Sequence, residues 1–585
     1  MIPSRNRMPY ELQHLKPAEK KLLRCALSGK IASFDNHRPE QATSENTIRA
    51  DFLRFLILGG NEENILHEQG VRLRGAYIEG TLDLRSSKIP TAFLLQNCLC
   101  FNTLFLNSAS IDGRVSLDGS AWAGIQAPLA SITGSLSMRQ LFSFGSVNLT
   151  GARVEGSLTL SESTINGQGS SAIRADRIYI SGNINMRGGF TAFGEVRLAG
   201  ITLNGQLNCT SCHIIATRDV SLAMDSSVIK GNVNLSTDFR SEGTVRLSAI
   251  KIGSQLNLEG ARLDGKGGYA LVAQHAHIAG SLIVRKLAIP LQKALLDNTK
   301  VTTLNDDTRS WGKGLQLDGF SYDFLSNGTK AKARLAWLDK QTPFTAGTDG
   351  LKGEKSGFRP QPWRHLKHKL EEMGHADEAQ EVGIAFERRL REVGSVGKRT
   401  AHWPRGFRWL GIVPHVLYGA LTGYGYRPMR LLAWILGIWL AFTAVYWYAA
   451  VEQNVFAPSN PLVFQSDAYT TCRKEYGEGW QKRSPDTPIP SGIGNWYTCD
   501  ALRGEYTGFS PGAYSLDILL SLVDLQQEKD WGPITTTPSP NAWVEFWNWD
   551  WGHSIRFLVW LETLIGWGIS LLLVAIVSGL TRRKE

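Results

Sequence analysis

Several residue groups have types and spacings that chemistry uses. Gly167-Gln168-Gly169-Ser170-Ser171-Ala172 matches GxGxxA, in which glycines let the backbone approach a pyrophosphate at the start of a helix. The next residues, Ile173-Arg174-Ala175-Asp176-Arg177-Ile178-Tyr179-Ile180, read as a strand, and Asn185 stands where a ribose-binding acid belongs. An extended turn is expected there. Cys209-Thr210-Ser211-Cys212 has the CxxC spacing of redox or zinc sites, but no second CxxC exists. Cys209 fills a position held elsewhere by Leu or Met, which points to a small core residue. His365, His368 and Glu372 share one helix face and His275 and His277 one strand side. Their basic surroundings predict solvated surfaces rather than metal ligands. Glu562 is the one carboxylate set among apolar residues near the C-terminus. An acid at membrane depth is costly and often functional, although near a boundary it can reach water. No nucleophile with a base partner, no paired carboxylates and no Walker-type loop stand out, so no catalytic, cofactor or metal residues are assigned.

The elements that position these residues begin with a repeat. Apolar-x-Gly-x-apolar-x-apolar occurs at 78–84, 111–117, 132–138, 154–160, 180–186, 203–209, 229–235 and 278–284, with a close variant at 252–258. From Gly113 to Gly280 the central glycines stand 21 to 27 residues apart, which is solenoid spacing. Glycine every few residues opposes a helix, and the local period is 2. The expected fold is mainly β: a right-handed β-helix over 71–325, its glycines relieving crowding at the corners. An α-helical cap is expected over 1–70, with helical spacing at 12–27 and 47–56. A polar linker should come next at 326–358, then a helical hairpin at 359–396. The hairpin is signalled by Trp363, Leu366, Leu370 and Met373, then Ala379, Val382, Phe386 and Leu390.

Charge organises the rest. The 585 residues carry a net charge of +10 and 43% hydrophobic residues, which speaks against disorder. Asp, Glu, Lys and Arg vanish from 431 to 451 and from 563 to 581, and about 20 apolar residues cross a bilayer. Transmembrane helices are expected at 431–451 and 556–581, with a juxtamembrane segment at 397–430 and a tail at 582–585. Residues 352–408 hold 13 basic against 8 acidic residues, whereas 451–550 hold 6 against 13. By the positive-inside rule both termini should be cytoplasmic and the acidic, Trp-rich loop 452–555 external. The first 30 residues have no apolar core of a secretory signal. Cys472 and Cys499, alone in that loop, are expected to form a disulfide, and the other five cysteines to stay reduced. Trp543, Trp547, Trp549 and Trp551 are candidate interfacial anchors on the loop side, with Arg427, Arg430, Arg582 and Arg583 at the other face. The segment 513–525 is amphipathic and is expected to lie on the bilayer surface.

The repeat opening at Val71-Arg72-Leu73-Arg74-Gly75, the helix start Pro360-Gln361-Pro362-Trp363, Gly423-Tyr424-Gly425-Tyr426-Arg427-Pro428 and 514–525 together resemble a bacterial membrane protein family. Its members join an N-terminal solenoid of pentapeptide-like repeats to two C-terminal transmembrane helices. The resemblance implies an inner-membrane, multi-pass protein; some relatives carry the label membrane-associated oxidoreductase. The residues give that label no support, and the family implies no established activity or cofactor. The expected function is a membrane-tethered scaffold whose solenoid binds a protein partner or another copy, with the bilayer as its other partner and no role for nucleic acid. The alternative is a two-helix channel or signalling effector gated by the solenoid. Glu562 is its candidate pore residue, although Gln526-Gln527-Glu528-Lys529-Asp530 is no TVGYG-like filter.

Overall fold

In the computed structural model, residues 14–61, 65–341, 358–394, 396, 409–475, 492–502, 504–520, 524–535 and 550–578 are described. They fall into two compact units, Met1–Arg389 and Leu390–Glu585.

The first unit is a parallel-sheet β-solenoid of about 11 turns. One coil runs through four two-residue strands, Phe142–Ser143, Val147–Asn148, Arg153–Val154 and Leu158–Thr159, before the next coil begins. Coils stack in register: Val154 pairs with Ile180, Ile180 with Leu203 and Leu203 with Ile229. Ile111, Ile132, Val154, Ile180, Leu203, Ile229, Ile252 and Ile278 thereby form one inward column, each at most 2% exposed. Burying such a side chain contributes about 1.5–3 kcal/mol, so each coil is held by its neighbours.

The repeat glycines relieve backbone crowding at the corners, as expected, and the crowding comes from the coil before. Left-handed corners are shared between glycines such as Gly151 and Gly200 and other residues, among them Glu162, Arg177, Ser226 and Ala249. Gly134, Gly156, Gly182, Gly205 and Gly231 instead form a ladder, each donating its N–H to the carbonyl of the glycine one coil earlier at 2.9–3.1 Å. A Cβ on Gly182 would lie 2.8 Å from the Gly156 oxygen, and one on Gly205 2.4 Å from that of Gly182. Glycine is required here for close backbone approach, not for an unusual φ.

Both ends of the solenoid are covered. Helices α1 (Pro17–Leu27) and α2 (Ala50–Ile57) close the first, where buried Glu19 accepts hydrogen bonds from the Arg49 guanidinium at 2.7 and 2.8 Å. The expected cap 1–70 already contains solenoid, because Ala32–Ser33 pairs with Leu73 and Arg74 and Thr47–Arg49 pairs with Tyr77–Glu79. At the other end the expected linker 326–358 contains helix α3 (Ala331–Leu338). Its Arg334 makes a two-pronged contact with Asp306 at 2.9 and 2.7 Å, both side chains buried, and Asp306 also accepts from the Trp311 indole at 2.7 Å. Trp311 and Trp337 cover the final coils. The segment looked polar because its charged residues have partners that only the fold supplies. The hairpin forms as α4 (Gln361–Glu372) and α5 (Ala376–Glu392), with Gly374 at φ +82° between them. It docks through Gln361, which accepts the Gly319 N–H at 2.9 Å.

The second unit holds α6 (Trp409–Thr422), α7 (Met429–Val451), α8 (Pro461–Gln465), α9 (Pro511–Leu519), α10 (Gln527–Asp530) and α11 (Trp551–Val577). α7 and α11 are long and apolar enough to cross a membrane. The described residues between them are packed and cross-linked. Phe456–Pro458 pairs antiparallel with Trp531–Pro533, Phe456 stacks on Phe509 at 4.4 Å, and Cys472 is bonded to Cys499 with their Cα atoms 5.5 Å apart. The Asn495 amide donates to the carbonyls of Ala450 and Val451 at 2.9 and 3.1 Å, satisfying the end of α7.

Gly182→Ala is expected to lower solenoid stability by about 1–3 kcal/mol, the usual cost of forcing atoms into a packed interior. Thr202→Ala, exposed on a neighbouring strand, should change it little. Urea unfolding of the full chain in detergent, followed by circular dichroism, makes the comparison.

Candidate functional site: a buried carboxyl between two apolar helices

α9 sits between α7 and α11 rather than on a surface. Ser510 opens it as N-cap, its hydroxyl accepting from Ala513 N, and Pro511 takes the first helical turn. Gly512 presents its carbonyl to the Trp439 indole N–H at 2.8 Å. Trp439 lies 12 residues before Val451, about 18 Å along the helix. At the far end of α9, Leu519 packs with Leu431 of α7 and Ile569 of α11, and a Cβ on Gly566 would lie 2.3 Å from the Leu519 carbonyl oxygen. Asp517 accepts the N–H groups of Leu525 and Glu528 at 2.8 and 3.0 Å and so ties the returning chain to α9. Burial, with Asp517 and Asp524 nearby, raises the Glu528 carboxyl above its ordinary range. Ser515 and Asp517 of the segment 513–525, of which 521–523 lie outside the described residues, thus have protein partners, which corrects the expectation of a helix lying on the bilayer.

Glu562 is where the three helices meet. It lies 11 residues into α11 and is fully buried. The Tyr446 hydroxyl of α7 donates to Oε2 at 2.6 Å, and the Ser515 hydroxyl of α9 donates to Oε1 at 2.6 Å. The expectation that this acid reaches water is corrected by its burial: both carboxyl oxygens are taken up by protein hydroxyls. Ser515 Oγ also stands 3.5 Å from the Trp439 carbonyl oxygen. Because a hydroxyl both donates and accepts, the set accommodates either form of the acid. Ionised, Glu562 accepts from both neighbours. Neutral, it donates to Ser515, whose own proton turns toward the Trp439 carbonyl. The buried Thr443 hydroxyl, on the same face of α7 as Trp439 and Tyr446, has no hydrogen-bond partner among the described residues. The arrangement can hold or exchange a proton.

Sequence reading missed Tyr446, Ser515 and Trp439. The available signal was the spacing Trp439, Thr443, Tyr446, which puts the hydroxyls of an otherwise apolar span on one helix face.

The other candidates are dispersed. Gly167–Ala172 lies within the strand Thr164–Arg174, with no helix after it. Cys209 and Cys212 are buried, unbonded core residues, and burial raises the Cys212 thiol. His365 meets the backbone of Tyr322 and stacks edge-on against its ring, and burial lowers its imidazole. His368 pairs with Glu372 at 3.0 Å on the exposed side, and His275 and His277 are exposed. Among the described residues no three His, Cys, Asp or Glu side chains gather as a metal site. Trp551 is exposed at the start of α11, edge-on to Tyr448 at 5.8 Å. Arg427 and Arg430 flank the start of α7, whereas Trp543, Trp547, Trp549, Arg582 and Arg583 lie outside the described residues. No protein-family model, no curated protein and no solved structure matches this chain.

Glu562→Ala leaves the hydroxyls of Tyr446 and Ser515 unpaired beside a void and is expected to cost roughly 2–4 kcal/mol. Glu562→Gln keeps an acceptor for one hydroxyl and a donor for the other and should cost less than about 1 kcal/mol. Thermal unfolding in detergent, followed through helical circular dichroism, separates the two.

Proposed function

We propose that this chain is a membrane-tethered scaffold. The β-solenoid offers a protein-binding face, and α7 and α11 hold it at a bacterial inner membrane. Both termini and the solenoid lie on the cytoplasmic side, with 452–555 outside. Membrane residence is supported by outward-facing apolar residues that no protein covers, such as Leu436, Leu440, Leu564 and Leu571. The lysine and arginine asymmetry across the spans supports the orientation.

The scaffold reading rests on an exposed aromatic column on one solenoid sheet. Phe101 and Phe144 stand exposed with ring centres 6.0 Å apart; Tyr77 packs behind Phe101 at 6.4 Å and Phe142 against Phe144 at 4.8 Å. Phe193 is exposed two coils further on. Rings lined up on a flat, rigid face lose apolar exposure only when another surface docks. A photo-crosslinking residue at position 144 of the full chain in cells is expected to give a discrete protein adduct, lost when Phe101 and Phe193 become Ser. The same adducts from position 202, on the other sheet, or none from 144, would contradict the reading.

A second reading is favoured by α9. A short helix entering between two long apolar helices, with the chain returning beside it, is the arrangement of two-helix channels, and several copies would be needed to surround a pore. Under it, reconstituted protein should release cations from liposomes faster than empty vesicles do, and Glu562→Gln should change that rate. Equal release with and without protein would leave the scaffold alone.

A further inference from the structure

The span α7 does not begin its apolar character at its own first turn. Residues 409–426, between Arg408 and Arg427, contain no Asp, Glu, Lys or Arg. Most of that stretch is α6, which is 14 residues long and carries Pro414 inside it. At 1.5 Å per residue α6 measures about 21 Å, too short for a hydrocarbon core of about 30 Å. Its Val413, Val416 and Leu417 are nevertheless exposed at 40–53%. α6 turns directly into α7 through Gly423, Tyr424 and Gly425, all with left-handed φ. The Trp434 indole reaches back to the Ala420 carbonyl at 3.4 Å.

Between the two helices lies a cleft of about 380 Å³, lined by Ala420, Arg430, Ala433 and Trp434. Its composition is specific. Two alanines leave the groove open, and the half-exposed Trp434 ring, one turn after Arg430 on the same face of α7, forms an apolar wall. At the mouth, the exposed Arg430 guanidinium has no carboxylate or other acceptor among the described residues. A cation at one end of an apolar groove fits a molecule with a phosphate head and a hydrocarbon tail. The loss of charge from 409 to 426, bounded by arginines, is the pattern of a helix lying at a membrane interface, its basic ends among headgroups.

We propose that the α6–α7 groove binds an anionic phospholipid of the leaflet on the solenoid's side, its phosphate on Arg430 and an acyl chain along Ala433 and Trp434. This rests on the membrane reading above. It adds a third lipid-contacting element and a lipid preference that tethering alone does not require.

The full chain is reconstituted in nanodiscs of equal parts phosphatidylglycerol and phosphatidylcholine, released, and its retained lipid counted by native mass spectrometry. Phosphatidylglycerol retained in preference to phosphatidylcholine is expected, falling about fivefold in Arg430→Gln, the equivalent of the ~1 kcal/mol that one basic residue contributes beside an anionic surface. Arg430→Lys should keep most of it, and Ala433→Trp, which fills the groove and leaves the charge, should reduce it. Retention unchanged in Arg430→Gln and Ala433→Trp overturns the site. Displacement of the lipid by millimolar inorganic phosphate alone would mark a free-anion site and overturn the lipid assignment. Failure of the wild-type chain to enter nanodiscs would instead defeat the membrane reading, which keeps the two failures apart.

Discussion

Gly134, Gly156, Gly182, Gly205 and Gly231 each bring their backbone so close to the coil before that atoms of that coil occupy the space of a Cβ, a carbonyl oxygen at all but Gly156, where Ser135 fills it. That approach sets the solenoid's coil spacing at one edge. Fixed spacing lets inward columns such as Val154, Ile180 and Leu203 stack without gaps, and it also lines up outward residues at regular height. The exposed rings of Phe101 and Phe144 can meet across an intervening coil because Ala123 between them is small and the coils do not drift. A rigid face is what a scaffold needs, since rigid surfaces lose little conformational freedom on docking.

The second unit is built on a different principle, the pairing of polar groups where water is scarce. Apolar helices gain little by associating inside a bilayer, because lipid is as apolar as they are. What makes three of them specific partners is Glu562, with one hydroxyl from α7 and another from α9 on its two oxygens. A small residue then allows close contact, Gly566 beneath the Leu519 carbonyl. Asn495, Asp517 and the Cys472–Cys499 bond bind the intervening chain to the same frame, so α9 is held from both sides.

Much of the first unit was legible because its signals are local. Glycine spacing, a period of 2 and the helical spacing at 359–396 each arise from neighbouring residues. That the glycines relieve crowding was legible, but not which atoms crowd them, because those belong to the coil before. α3 was missed because Arg334 looks like a solvated charge until Asp306, 28 residues earlier, is brought beside it. The candidate site was only one-third visible. Glu562 stood out as an acid among apolar residues, but Tyr446 is 116 residues away and Ser515 is 47, and only the folded chain makes them neighbours. The same ignorance of partners turned α9, whose polar side chains are satisfied internally, into an expected surface helix.

The position of α9 is the point on which the membrane part turns, and amide hydrogen exchange of the full chain in nanodiscs reads it directly. Protection of 512–519 comparable to that of the middle of α7 and α11, with faster exchange in Glu562→Ala, is expected of a helix latched between them. Exchange of 512–519 as fast as that of an exposed surface segment, unaffected by Glu562, would contradict the account.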